Sequence, residues 1–486
     1  MLYHSTRSSA PWVDSAQAVL SGLAPDGGLY MPANIPSLDW EKVIQGTSQE
    51  ISAAILESLL PDIPNMPQLV ARAYTGKFET EDLTPTVAVG DLSVLELFRG
   101  PTSAFKDVAL SMLPQLLTAA KAEKGVKEDI LILTATSGDT GKAALVGFQD
   151  VPGVKICVFY PQGGVSQVQR AQMVTQEGSN VAVCAVRGNF DDAQTGVKEI
   201  FTAFQGKPLP FRLSSANSIN IGRLAPQVMY YFRAYKDLLA AGKIRLGDRV
   251  NFSVPTGNFG DILAGYLAKK MGLPVGTLIC ASNANNVLTD FIRTGTYDRR
   301  RPLLKTNSPS MDILVSSNLE RLLYLLSGDT ALVASLMAQL KEQGVYTVPA
   351  ALKQAIDREF WAGCCDDARG GEIIGRVYRE HHYLCDPHTA AGFAAAEDYR
   401  SQTGDNTPMV VLATASPYKF PAAVLAAIGG DTSGDEFAQM ERLRQLTGVP
   451  IPGPLASLRG KRERHTGVID KQDMPAYVLG LEGERK

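Results

Sequence analysis

The chain has 486 residues, 45% hydrophobic and 20% charged, with a formal net charge of −3. That length suggests two or three domains with sizeable cores. The near-neutral charge argues against a nucleic-acid partner, and no apolar run reaches the roughly 18 residues of a membrane span. The first residues lack the apolar core of a signal peptide, so a cytoplasmic protein is expected. The six cysteines, Cys157, Cys184, Cys280, Cys364, Cys365 and Cys385, show no CxxC spacing and read as reduced thiols. The five histidines make no metal-ligand cluster with cysteines or carboxylates, so no metal is expected.

In chain order, residues 1–92 read as an N-terminal unit, with loop over 22–36 from its Gly and Pro content and helical spacing over 40–60. From Ser93 onward the pattern becomes strand, glycine turn, helix, repeated. Residues 129–135, 154–160 and 181–186 are short apolar runs, as expected of strands buried on both faces. Two more such strands are expected over 249–254 and 409–414, and a helix over 262–271 stopped by Gly272. Strands alternating with helices mean an α/β fold with mainly parallel sheet. Ligands of such sheets bind at the carboxyl ends of strands.

Most of the chemically suggestive residues fall at those ends. Lys106 lies in Phe98-Arg99-Gly100-Pro101-Thr102-Ser103-Ala104-Phe105-Lys106-Asp107, a Gly/Pro turn running into an apolar stretch. Ala104 and Phe105 could desolvate its amine and make it reactive, whereas Asp107 could hold it as a solvated ion pair. Two glycine turns follow strands and open helices: Thr136-Ser137-Gly138-Asp139-Thr140-Gly141 and Pro255-Thr256-Gly257-Asn258-Phe259-Gly260. Either could cradle an anion with free N–H groups, or serve as a plain strand-to-helix connection. The first is not a nucleotide loop, since Gly138 and Gly141 are too close and Ala143 follows Lys142. An activatable amine with two anion cradles is what pyridoxal phosphate, PLP, requires. Residues 214–223 add amides, hydroxyls and Arg223, whose planar fork suits phosphate or carboxylate, unless it is an exposed Arg behind a helix cap. His388 could join a site or simply cap a helix. The hydroxyl of Thr414 could meet a ring nitrogen or cap the next helix, and the basic residues 459–465 read as a solvated face.

Together these strings resemble the threonine synthase family from residue 3 to about residue 428. Tyr3-His4-Ser5-Thr6-Arg7 and residues 22–30 are similar to its N-terminal signature, and the Lys106 segment to the one carrying its Schiff-base lysine. Residues 135–141 resemble its substrate loop, Gly257-Asn258-Phe259-Gly260-Asp261 its cofactor phosphate loop, and 217–223, 309–313 and 317–321 further family strings. One departure is Ser416-Pro417-Tyr418-Lys419-Phe420, where the family usually has His-Pro-Ala-Lys-Phe. The resemblance implies a fold-type II PLP enzyme, tryptophan synthase beta-like, with two α/β domains and an added N-terminal domain. Its expected limits are 1–92 for the N-terminal domain, 93–130 and 224–430 for the large PLP-binding domain, 131–223 for a small mobile domain, and 431–486 for a C-terminal segment.

It further implies conversion of O-phospho-L-homoserine and water to L-threonine and phosphate by a lyase. Lys106 would be catalytic and hold the cofactor, with Phe105, Gly257, Asn258, Phe259, Gly260 and Thr414 around it. Ser137, Asp139, Thr140, Asn217 and Arg223 would receive the substrate's phosphate and carboxylate. The expected partner is this small molecule, with no nucleic acid and no membrane, in a monomer or homodimer. A PLP-dependent phospho-lyase releasing a keto acid, phosphate and ammonia is the alternative, and a catalytically silent ligand-binding relative is a third reading.

Overall fold

The computed structural model describes residues 1–8, 11–136, 138–204 and 207–481. At the N-terminus β1 (Leu2–Ser5), β2 (Val13–Asp14) and β3 (Tyr30–Pro32) form a small antiparallel sheet in the order β2-β1-β3. β3 lies inside the stretch expected to be loop; its three residues are buried, and pairing with β1 overrides local composition. The helical spacing over 40–60 is realised as two helices, Trp40–Val43 and Ser48–Leu59. The second starts at a capping box: Thr47 and Glu50 each accept from the other's backbone N–H, so the chain restarts just after Gly46.

β4 (Thr86–Val89) and β5 (Leu92–Glu96) pair antiparallel and lead to the helix Lys106–Glu123. Four strands follow, β6 (Asp129–Ala135), β7 (Val154–Pro161), β8 (Val181–Val186) and β9 (Phe211–Ser214). After these come β10 (Val250–Pro255) and β11 (Val275–Ser282), a ribbon of β12 (Thr296–Asp298) and β13 (Val345–Thr347), and then β14 (Phe360–Cys364), β15 (Met409–Ala413) and β16 (Val468–Ile469). The larger sheet has the order β14-β11-β10-β15-β5-β4, parallel except for the edge strand β4. The smaller, β16-β8-β7-β6-β9, is parallel throughout. Every residue of β10 and β15 is buried, in keeping with continuous apolar runs covered on both faces.

This topology gathers the motifs. The carboxyl ends of β5 and β15 enter the Lys106 turn and the 414–420 segment, and the carboxyl end of β10 enters the glycine turn before the helix Gly260–Lys270. β6 of the smaller sheet ends at the other glycine turn, before the helix Asp139–Phe148.

The N-terminal unit is locked to this framework by buried polar contacts. The Thr6 hydroxyl donates to Glu320, the Arg7 guanidinium donates to both Glu320 oxygens, and His4 Nε2 lies 2.8 Å from the Tyr324 hydroxyl. Arg321, fully buried, donates to the carbonyls of Tyr30 and Ile219 and to the side-chain oxygen of Asn318. Strings from the start and the middle of the sequence thus form one interface. Without Arg321 these buried acceptors lose their donor, so Arg321→Leu should lower stability by about 3 kcal/mol. A urea unfolding midpoint equal to that of the parent would contradict this role.

Candidate active site

Lys106 is the first residue of its helix, and Phe105 precedes it as the cap. The solvated ion pair with Asp107 does not form. The Asp107 carboxylate folds back on the turn, accepting from the N–H of Thr102 at 2.9 Å and from the Thr102 hydroxyl. The turn is held from the other side by the 414–419 segment. Phe105 N–H donates to the Thr414 carbonyl at 2.8 Å, Ser416 N–H to that of Ser103 at 3.1 Å, and Lys419 Nζ to that of Thr102 at 3.1 Å. The Lys106 amine lies 4.9 Å from the centre of the Phe105 ring. Burial pushes the ammonium down to about 8; Asp139 opposes this, and the charges of Lys419 and Arg223 add to it.

Asp139 is the centre of the charge cluster. It lies 2.7 Å from Lys419 Nζ and 3.8 Å from Lys106 Nζ, and accepts from Gln169 at 3.0 Å and the Ser310 hydroxyl at 3.2 Å. Burial alone would raise this carboxyl, but the ammonium groups of Lys419 and Lys106 hold it well below the usual carboxylate range. An ionised carboxylate repels a phosphate, and Asp139, expected among the residues for an anionic substrate, lies here as the counter-ion of Lys419 and Lys106. Its loop is also less open than the glycines suggest. The Thr136 hydroxyl accepts from the N–H groups of Gly138 at 3.0 Å and Gly141 at 2.9 Å, which takes both away from a ligand. Gly138 has φ +139, and a Cβ there would collide with Gln169. Thr140 is half-buried in the first helical turn, and Ser137 lies outside the described residues.

The second glycine turn has the opposite character. Its carbonyls are tied down: Ser316 donates to that of Gly257 at 2.8 Å, and Asn318 to that of Asn258 from both backbone and side chain. Among the described residues, no carbonyl or side-chain oxygen accepts from the N–H groups of Gly257, Asn258, Phe259 or Gly260. Gly257 has no room for a side chain, since a Cβ would lie 2.8 Å from the Ser310 carbonyl oxygen. Four free amides at the start of an 11-residue helix form an anion cradle.

Arg223 is buried beside this centre, and among the described residues no carboxylate pairs with it. Nη1 donates to the Ala216 carbonyl at 2.6 Å and Nε has no partner. Burial lowers its guanidinium to about 10, so it stays cationic at neutral pH. Asn217 is half-buried on the same segment.

His388 is a buried structural residue. Its Nδ1 faces Asp386 at 2.5 Å and its Nε2 accepts from the N–H of Ser310 at 3.1 Å, which fixes the segment that carries the Ser310 hydroxyl to Asp139. Ser416 is buried and accepts from the N–H of Tyr418, capping the turn that presents Lys419. Residues 459–465 are not merely a solvated face: the N–H groups of Arg464 and His465 donate to the Val174 carbonyl. Sequence reasoning missed Lys419 as a site residue, although the 414–420 string contained it.

Comparison with known proteins identifies this arrangement. A family model described as threonine synthase N terminus matches residues 2–74, pyridoxal-phosphate dependent enzyme matches 81–415, and threonine synthase, C-terminal, matches 389–473. The chain belongs to the threonine synthase family. It is 42% identical to the threonine synthase of Pseudomonas aeruginosa, over 96% of this chain and 98% of that one. It is 39% identical to human threonine synthase-like 1 over 85% of this chain, but spans 58% of that longer protein. The PLP-bound threonine synthase of Brucella melitensis superposes with a TM-score of 0.87, 39% identity and 99% coverage of both chains.

The residues fit PLP: a buried amine of lowered basicity for its aldehyde and an open amide cradle for its phosphate. Because the neutral amine is the reactive form, cofactor uptake by the cofactor-free protein should speed up with pH and level off above about 8. Uptake that kept accelerating toward the ordinary lysine range would show that burial does not lower the amine. Stopped-flow absorbance across a pH series makes the measurement.

Proposed function

We propose that this enzyme converts O-phospho-L-homoserine and water to L-threonine and phosphate. The observation that carries the reading is a buried Arg223 guanidinium, which no carboxylate pairs with among the described residues, close to the amine of Lys106 and beside an open amide cradle. PLP, when bound, supplies an electron sink for bonds broken next to the substrate's amino-bearing carbon. Lys106 would hold the cofactor and, once displaced by the substrate's amine, move protons at Cα, Cβ and Cγ. The amides of Gly257, Asn258, Phe259 and Gly260 would hold the cofactor phosphate, Thr414 would face the ring nitrogen, and Phe105 would pack near the ring. Arg223, with Asn217, Ser137 and Thr140, would grip the substrate's phosphate and carboxylate, and Asp139 would set the charge state of Lys106. A small domain over 131–223 would close on the large one and exclude water until phosphate has left. We read the enzyme as cytoplasmic, consistent with six cysteines that are all free, and as a monomer or homodimer.

The test is a visible spectrum of the PLP-loaded protein with O-phospho-L-homoserine, together with product analysis. Threonine and phosphate are expected. A keto acid with ammonia would favour the phospho-lyase, and the absence of any cofactor band would leave a silent relative. Arg223→Met should cut kcat/KM by roughly ten- to hundredfold, the worth of a hydrogen bond to a charged group. An unchanged kcat/KM would remove Arg223 from the substrate site.

A further inference from the structure

We propose that Lys419 is a positioning residue, a buried cation that pins Asp139 beside the Lys106 amine and joins the loop after β6 to the turn before Lys106. The proposal rests on the reading of Lys106 as the amine that holds the cofactor. Lys419 has no exposed side-chain surface, a rare state for a lysine unless it is paired. Its Nζ reaches two separate segments, the Asp139 carboxylate at 2.7 Å and the Thr102 carbonyl at 3.1 Å. Asp139 follows a strand of the smaller sheet, whereas Thr102 and Lys419 follow strands of the larger one. One ammonium therefore spans both sheets at the point where the amine sits.

The geometry is unequal in a way that matters. Asp139 is held at 2.7 Å by Lys419 and stands off at 3.8 Å from Lys106. The charged groups facing Lys106 are Asp139, Lys419, Arg223 and Asp107. Asp107 is occupied by Thr102, so Asp139 is the carboxylate free to settle on the amine. By competing for Asp139, Lys419 keeps Lys106 from being fully neutralised as an ammonium and favours its free-amine form. Ser416, in place of the family's usual histidine, caps the short turn Pro417–Lys419 and so aims this cation.

The test uses the cofactor-free full chain and reads the modification of Lys106 by an amine-directed acylating reagent against pH, through mass spectrometry of its peptide. In Lys419→Met the profile should move to higher pH, with modification near neutrality about tenfold slower, because Asp139 then serves Lys106 alone. Lys419→Arg should restore the parent profile. Asp139→Asn should move it the other way, since two cations then face each other without a counter-ion. A merely structural role predicts no such opposed shifts. A Lys419→Met profile equal to the parent's, or shifts of the same sign in Lys419→Met and Asp139→Asn, would overturn the proposal. Should Lys419→Met not fold, an unmoved Asp139→Asn profile, or Lys419→Arg behaving unlike the parent, would do so. The readout needs no turnover, so failure to form threonine would sink the functional reading without touching this one.

Discussion

One buried carboxylate, Asp139, is ion-paired with the ammonium groups of Lys106 and Lys419, while the buried Asp107 is turned onto Thr102 and Arg223 is close enough to depress Lys106 further. Positive charge is in excess at this centre, and the open amides of Gly257 to Gly260 add to it. Buried charge is costly unless it is paired. On the proposed reading, the missing partners would be supplied from outside, as the phosphate of the cofactor and the anionic groups of the substrate. The site would then be organised around anions that arrive after folding. Its reactive group is basic enough to carry a proton and buried enough to give it up near neutral pH.

The surrounding framework explains how such an imbalance is tolerated. The turn before Lys106 is tied on one side by Asp107 and on the other by the 414–419 segment, through Thr414, Ser416 and Lys419. The 257–260 turn is tied by Ser316 and Asn318. Asn318 in turn is held by Arg321, which reaches the N-terminal sheet at Tyr30. The N-terminal unit is therefore part of what keeps the cradle open, although it contributes none of the reactive groups. Two strings resembling the family's signature, at 3–7 and 317–321, do this supporting work.

Lys106 and the 257–260 turn were legible in the sequence because their chemistry is local. A glycine turn between a buried strand and a helix has free amides whatever surrounds it, and apolar neighbours foreshadow a desolvated lysine. The continuous apolar runs similarly marked β6, β7, β8, β10 and β15. The ion pairs of Asp139 were not legible because its partners, Lys419 and Lys106, come from distant parts of the chain, and a carboxylate in a polar loop carries no sign of what will face it. The 136–141 turn was overvalued for a related reason. Whether its amides are free depends on where the Thr136 hydroxyl points, which packing decides. The helical spacing over 40–60 was legible, and its division into two helices had a local signal in the Thr47–Glu50 capping box. β3 failed because its partner strand lies at the start of the chain.

The same charge imbalance bears on substrate choice. A ligand lacking the phosphate would enter a site where Arg223 is already buried without a carboxylate, and would leave it so. Sites built to bond a polar group discriminate far more strongly against ligands that lack it than apolar pockets do against a missing methylene, by factors approaching about ten thousand. On the proposed reading, selectivity for a phosphorylated amino acid would need no steric gate. It would follow from a buried cation that no carboxylate pairs with among the described residues, while Asp139, committed to Lys419, is kept from pairing with it.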